Sequence, residues 1–122
     1  MTFSIASVQH ETIAGGSVWF MVVSSEPVLF DTTLTVDLQG TGTNPTDASD
    51  FTGGNSLTVM IPAGDISALV EFPTVLDLDT TETFDAILGG VDPALIGTGT
   101  VAGTIFNAQV THTIDLSLGG GR

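Results

Sequence analysis

Hydrophobic and polar residues alternate along seven short stretches of the chain, and Gly, Pro and Asp residues stand between these stretches. In TTLTVDLQ, for example, the aliphatic residues Leu34, Val36 and Leu38 occupy every second position. A period of two is typical of a β-strand with one buried face and one solvent-facing face. The seven stretches, in order, are TFSIASV, GSVWFMVVS, TTLTVDLQ, SLTVMI, ISALVEF, TFDAIL and TVAGTIF. They predict an all-β fold, a two-sheet Greek-key sandwich of immunoglobulin type.

The stretch GSVWFMVVS is apolar on both faces, which is typical of a strand in the centre of a sheet. Large aromatic residues in strongly apolar stretches are the best candidates for the core. We therefore expect Trp19, Phe20, Phe72 and Phe84 to be largely buried.

The alternation resumes after Phe106, and it defines a possible eighth strand at the C-terminus. Its alternating row consists of Val110, His112, Ile114, Leu116 and Leu118. We therefore divide the chain into a sandwich, residues 1–106, and a C-terminal strand or arm, residues 107–122. The segment either pairs with an edge of its own domain or leaves as an arm that adds a strand to a neighbouring subunit. We favour the arm, because the chain has no Lys to guard an exposed sheet edge. In that case, the residues of the alternating row contact the partner subunit.

The composition is that of one folded domain with a very acidic surface. Of its 122 residues, 42% are hydrophobic and 12% are charged, so disorder is not expected. The chain has fourteen Asp and Glu residues, a single Arg and no Lys, which gives a formal net charge of −13. This charge repels nucleic acid and anionic membranes, and it suits a cationic partner, a divalent metal or a salt-rich setting that screens self-repulsion. The chain has no Cys, which excludes disulfides and thiolate metal sites.

Two connections between the predicted strands stand out. Residues 40–54, GTGTNPTDASDFTGG, form a long loop without an apolar pattern, and loops of this length in compact domains are usually functional or mobile. Residues 76–84, LDLDTTETF, place Asp77, Asp79 and Glu82 within six positions. Acidic side chains in loops are therefore the main candidates for chemistry in this chain.

Four pieces of the sequence resemble the Calx-β domain, a sandwich module of exchanger regulatory regions, integrin β4 and bacterial surface proteins. The pieces are Asp50-Phe51, the hairpin turn Pro62-Ala63-Gly64, the run Glu82-Thr83-Phe84, and Glu11 followed by Gly15-Gly16. The resemblance covers residues 2–106. It implies a sandwich of immunoglobulin/Calx-β type, in agreement with the seven strands counted above.

The resemblance also implies a calcium site formed by acidic loop residues at one end of the sandwich. Its candidate ligands are Glu11, Asp50, Asp77, Asp79 and Glu82, with Asp47 as a further member. Ca²⁺ prefers six to eight oxygen ligands of this kind. Two departures weaken the match: Asn107 stands where the family has an acid, and Thr80 or Thr81 stands where it has a second acid. We expect at most one ion, and the alternative is that these are ordinary solvated loop acids.

No motif in the sequence predicts catalysis. The chain has no nucleophile elbow, phosphate loop or Ser-His-Asp order. The stretch HETIA at His10 lacks the second His of a zinc-protease helix. His112 is better explained as a hydrogen-bonded edge residue than as a metal ligand. We therefore expect a protein that is not an enzyme.

Two functions remain, and both are non-enzymatic. We expect a structural protein that decorates and stabilises a larger assembly, with a virion capsid as the first choice, and that docks through residues 107–122. Its partners would be protein subunits in a homo-oligomer or a capsid lattice. We expect it to bind neither nucleic acid nor a membrane, and to be located on the virion surface. The absence of a signal peptide before the first strand favours this interpretation. The alternative is a calcium-binding adhesion or regulatory module from a larger extracellular or cell-surface protein.

Overall fold

A computed structural model describes residues 1–76 and 81–106 and shows two packed β-sheets. The strands are β1 Phe3–Gln9, β2 Glu11–Ile13, β3 Ser17–Ser24, β4 Thr32–Thr41, β5 Ser56–Ile61, β6 Ser67–Pro73, β7 Glu82–Gly89 and β8 Thr100–Phe106. One sheet has the order β1-β3-β6, and the other has the order β2-β8-β7-β4-β5. The predicted two-sheet sandwich is confirmed. None of the helices in the described part of the chain has the length and hydrophobicity needed to cross a membrane.

Strand β2 is the element that the alternation did not predict. It has three residues, and it pairs in parallel with the end of β8, with Glu11 opposite Thr104. The chain thus passes from the three-stranded sheet, where β1 pairs with β3, into the five-stranded sheet within a few residues. Three residues are too few to show a period of two, and this explains the omission.

The core lies between the two sheets and is centred on four phenylalanines. Phe20, Phe51, Phe72 and Phe84 are buried, and their rings meet edge to face at centroid distances between 5.8 and 6.5 Å. Such T-shaped pairs are favourable because the positive edge of one ring faces the negative face of the other. Gly103 on β8 lies under the ring of Phe84, since a Cβ atom there would stand 2.2 Å from Phe84 Cζ.

The burial prediction is confirmed for three of its four aromatic residues and is wrong for Trp19. Strand β3 is central in its sheet, with Val18, Phe20 and Val22 facing the core. Trp19 alternates with them and lies on the outer face, where it is only partly buried. When both faces of a strand are apolar, alternation alone does not tell which face meets the core.

Candidate metal centre

Three connections meet at one end of the sandwich, which we call the acidic end. They are the turn at residues 14–16, the connection at residues 42–55, and the described start of the β6–β7 connection, residues 74–76. Strands β3, β5 and β7 begin at this end, while β4, β6 and β8 finish there. Among the described candidate ligands, Asp47 and Asp50 lie in the second of these connections, and Glu82 begins β7 beside this end.

Thr74 joins two of these connections through a set of buried hydrogen bonds. Its backbone N–H and its hydroxyl both donate to the carbonyl oxygen of Gly16, at 2.8 and 2.7 Å, and its hydroxyl oxygen accepts from the N–H of Gly15 at 2.9 Å. Thr74 is only 5% exposed. The start of the β6–β7 connection is therefore held against the turn that precedes β3.

The long connection between β4 and β5 is fixed to the same place by Phe51 and its neighbours. The Phe51 ring is buried against Phe72 and Phe84, at centroid distances of 6.1 and 5.8 Å. On either side of it, the carbonyl oxygen of Asp50 accepts from Val75 N–H, and Thr52 N–H donates to Pro73, both at 2.9 Å. Asp50 therefore stands directly beside the base of the segment that contains Asp77 and Asp79.

Asp47 and Asp50 cap a single-turn 3₁₀ helix, Ala48–Asp50, on the surface of this connection. Asp47 accepts hydrogen bonds from the Ser49 hydroxyl at 2.5 Å and from the Ser49 backbone N–H at 3.0 Å. These bonds stabilise the carboxylate, so the pKa of Asp47 lies below its ordinary value. The Asp50 carboxylate accepts from the Asp47 backbone N–H at 2.8 Å. One oxygen of Asp50 is thus engaged locally, and carboxylates retain further lone pairs for other contacts.

Glu11 and Glu82 lie at strand ends rather than in loops, and the sheet register separates them. Glu82 is the first residue of β7 and is paired with Ile105, which is buried. The Glu82 side chain therefore belongs to the inner face of the five-stranded sheet. Glu11 is opposite Thr104, the next residue along β8, and therefore starts from the outer face. The Glu11 carboxylate lies 3.8 Å from His10 Nε2, and His10 Nδ1 lies 2.9 Å from the Ser7 hydroxyl.

The structure thus brings Asp50 and Glu82 to the acidic end, with Glu11 on the opposite face of the sheet. Asp77 and Asp79 fall outside the described residues, as do the predicted partner-binding residues from Val110 to Leu118. Within residues 1–76 and 81–106, no three His, Asp or Glu side chains gather closely enough to hold a metal ion. The described carboxylates therefore supply oxygen donors of the right chemistry but not a complete set.

A buried hydroxyl group at this end has no partner in the described part of the chain. Thr46 is 6% exposed, and its Oγ1 makes no hydrogen bond there. Its backbone N–H donates to Thr83, the neighbour of Glu82, at 3.2 Å. A buried hydroxyl without a partner is costly. Neither Thr46 nor Thr74 could be singled out from sequence, because their contacts join distant segments.

The two sheets and their strand order define the chain as a two-sheet β-sandwich. No family model matches the chain, and no curated protein matches it.

Solved structures of Calx calcium-binding domains match it in fold. The crystal structure of CBD12 from CALX1.2 matches with a TM-score of 0.64 and 13% identity, over 87% of this chain and 45% of that chain. Calcium-binding domain CBD12 of CALX1.1 matches with a TM-score of 0.64 and 15% identity, over 87% of this chain and 44% of that chain. The apo-form Calx CBD1 domain matches with a TM-score of 0.54 and 14% identity, over 87% of this chain and 97% of that chain.

The protein therefore has the fold of the Calx-β domains, as the sequence resemblance predicted. It spans less than half the length of the two CBD12 structures and corresponds in extent to the CBD1 domain. At identities of 13 to 15%, the likeness establishes the fold and leaves the function to be argued from this chain's own residues.

Proposed function

We propose that this protein is a non-enzymatic, calcium-binding sandwich module that serves adhesion or regulation as part of a larger extracellular or cell-surface protein. One observation supports this most directly. Asp50, Glu82 and the described start of the β6–β7 connection lie at one end of a sandwich whose matched structures include a calcium-binding domain, and the sequence of that connection continues with Asp77 and Asp79. The chain has no Lys or Arg before Arg122 that could neutralise these carboxylates. A divalent cation would relieve their mutual repulsion.

The residues would contribute unequally to such a site. Asp50 and Glu82 are the best-supported ligands among the described residues. The carbonyl oxygen of Asp50 is hydrogen-bonded to Val75 at the start of the β6–β7 connection, and Glu82 is the first residue of β7, directly after that connection. Asp77 and Asp79 are proposed as the ligands that complete the set. Glu11 is a weaker candidate, since the register of β2 starts it from the outer face.

Isothermal titration calorimetry with CaCl₂ on the full chain tests this proposal. We expect Asp50→Asn and Glu82→Gln each to lower the affinity by roughly tenfold or more, since even indirect contacts to a metal are worth about that much. Asp77→Asn and Asp79→Asn should have similar effects. Asp85→Asn is the matched control, because Asp85 lies on β7 but faces outward with Gln39 and Ala102. Equal losses in Asp50→Asn and Asp85→Asn would mean diffuse attraction of Ca²⁺ to an acidic surface and would contradict a site.

The other expected function, decoration of a virion, receives no support from the fold or from the matched structures. They favour the calcium-binding alternative instead. What we retain as a proposal is narrower: residues 107–122 form a contact with another protein subunit. It is supported by the alternation of residues 110–118 and by the lack of any Lys to guard an exposed sheet edge.

A further inference from the structure

The end of the sandwich opposite the acidic end contains an apolar groove. Its volume is about 330 Å³, and its lining includes Phe3, Val28, Leu29, Phe30, Val91 and Leu95. This volume is at the lower limit of the range of about 300–1,000 Å³ that is usual for binding pockets. It suffices for one or two large side chains of a partner. The groove is separate from the candidate metal centre, because the length of the strands lies between them.

Two large apolar side chains on the groove are almost fully exposed. Leu29 is 86% exposed and the adjacent Phe30 is 71% exposed. Single exposed hydrophobic residues are common, but a consecutive pair beside an apolar groove is a patch of the kind that marks an interaction site.

The backbone below this pair is fixed. Val28 is buried, its N–H donates to Asp65 at 3.1 Å, and its carbonyl oxygen accepts from Gly64 at 2.8 Å. The Thr32 hydroxyl donates to the Phe30 carbonyl oxygen at 2.9 Å. Leu29 and Phe30 are therefore presented from a base that is held to the β5–β6 turn, so less conformational entropy is lost when a partner covers them.

Four acidic residues are neighbours of the groove's lining residues, in sequence or through a backbone hydrogen bond, and we call them the carboxylate rim. Glu26 and Asp31 flank the Val28–Phe30 segment, Asp92 follows Val91, and Asp65 is bonded to Val28 through its backbone. All four residues are exposed. The Asp31 carboxylate accepts from Ala63 N–H at 2.9 Å and the Asp92 carboxylate from Ala94 N–H at 3.0 Å, which holds both carboxylates against the backbone. The described residues contain no Lys or Arg that could neutralise the negative charge of this rim. The N-terminal amine of Met1 lies 3.6 Å from the carboxylate of Glu26.

From this arrangement we infer that the groove docks a peptide segment of a partner protein in which a large apolar side chain stands next to Lys or Arg. The apolar side chain fills the groove beside Leu29 and Phe30, and the basic residue lies against the carboxylate rim. A membrane surface is the less suitable occupant, because inserting Leu29 and Phe30 would carry the same four carboxylates toward the lipid headgroups.

Chemical-shift mapping by NMR on the ¹⁵N-labelled full chain tests this inference. The probe is an acetylated, amidated tetrapeptide of sequence KLFK. The controls are ELFE, which reverses its charge, and KSSK, which removes its apolar part. We expect KLFK to shift the amide signals of residues 28–30 and 91–95 and to bind at least about tenfold more tightly than either control. Its affinity should fall as NaCl is raised, because exposed charge pairs are screened.

Variants on the full chain separate the groove from the rest of the acidic surface. Phe30→Ser and Glu26→Gln should each weaken KLFK binding, and both side chains are exposed enough for the fold to be retained, which the NMR spectrum itself checks. Leu69→Ser and Asp85→Asn are the matched controls, since Leu69 is 57% exposed in the middle of β6, away from the groove, and Asp85 faces outward on β7. Neither control should change the affinity.

Four results would overturn the inference. KLFK and KSSK could bind equally well, or their shifts could be spread over the whole acidic surface, and either outcome would mean unspecific charge attraction. Binding unchanged in Phe30→Ser would remove the groove from the contact. Finally, binding of the chain to phosphatidylcholine vesicles that is lost in Phe30→Ser, together with no binding of KLFK, would make this end a membrane-contacting surface instead.

Discussion

Phe84 makes the central contact between the two sheets. Its ring meets Phe20 and Phe51 edge to face, at centroid distances of 6.2 and 5.8 Å. It also occupies the space that Gly103 leaves free on the neighbouring strand. Through Phe51, the same cluster fixes the connection that contains Asp50. The packing of the core and the position of a candidate ligand thus depend on the same side chain.

Phe84→Ala should therefore lower the free energy of unfolding by about 3–5 kcal/mol, since the ring is fully buried and its removal leaves a cavity. Urea unfolding followed by circular dichroism measures this loss. Phe106→Ala is the control, because that ring is 40% exposed and should matter much less. A loss below about 1 kcal/mol for Phe84→Ala, well under the range for buried Phe→Ala, would contradict the packing described here.

Asp47 offers a prediction about pH. The Ser49 hydroxyl and backbone N–H lower its pKa in the folded protein, so its contribution to stability is present above the unfolded pKa of about 4 and is lost as pH falls through the folded pKa. Ser49→Ala removes the hydroxyl and should raise the pKa of Asp47 toward its ordinary value. An NMR titration of the side-chain carboxyl carbon measures this. An unchanged pKa would mean that the hydroxyl does not bond to Asp47 in solution.

At the scale of elements, a strand could be predicted when its alternation was long and when its polar and apolar positions differed clearly. The alternation in β4 located Leu34, Val36 and Leu38 in the core, as the structure confirms. It failed at Ile66: the alternation of ISALVEF puts this residue on the same face as Val70 and Phe72, but it lies before β6 and is 51% exposed. Strand β2 was missed because pairing with a distant strand, rather than a local pattern, holds it extended.

For the candidate site, the sequence could predict which acidic residues lie near one end of the sandwich, but not the contacts that hold their segments together. The resemblance indicated Asp50 and Glu82, and the structure places both at the acidic end. It could not show that Thr74 ties the turn at Gly15-Gly16 to the β6–β7 connection, because that contact joins residues 58 and 59 positions apart. Long-range hydrogen bonds of this kind leave no local signature in a sequence.

The segment after β8 allows a test at the same scale. If residues 107–122 dock on another subunit, Ile114→Asp or Leu116→Asp in the full chain should abolish self-association, because the new charge would be buried without a partner. The melting temperature should stay within a few degrees of the unmutated chain. Analytical ultracentrifugation measures the association, and Thr113→Asp is the matched control on the polar row.

The opposite outcome is equally informative. If truncation after Phe106, or either substitution, unfolds the domain, residues 107–122 form an ordinary strand of the same chain. The proposed contact between subunits would then have no basis.

For the whole molecule, the charge of −13 is the dominant property. Self-repulsion among fourteen acidic residues with one Arg destabilises the compact state at low ionic strength. Any salt therefore stabilises this protein by screening. A calcium effect is evidence for a site only when it exceeds the effect of monovalent salt at the same ionic strength.

The central claim is that Ca²⁺ binds at the acidic end, and the most direct measurement compares thermal melting curves of the full chain in three buffers. One contains millimolar CaCl₂, one contains a chelator, and one contains the chelator with NaCl that matches the ionic strength of the first. At about a hundred times its dissociation constant, calcium should add roughly 2.7 kcal/mol, which is several degrees in a domain of this size. Asp50→Asn should remove most of the difference between the calcium and NaCl curves. Calcium and NaCl curves that superimpose in the unmutated chain would contradict the claim.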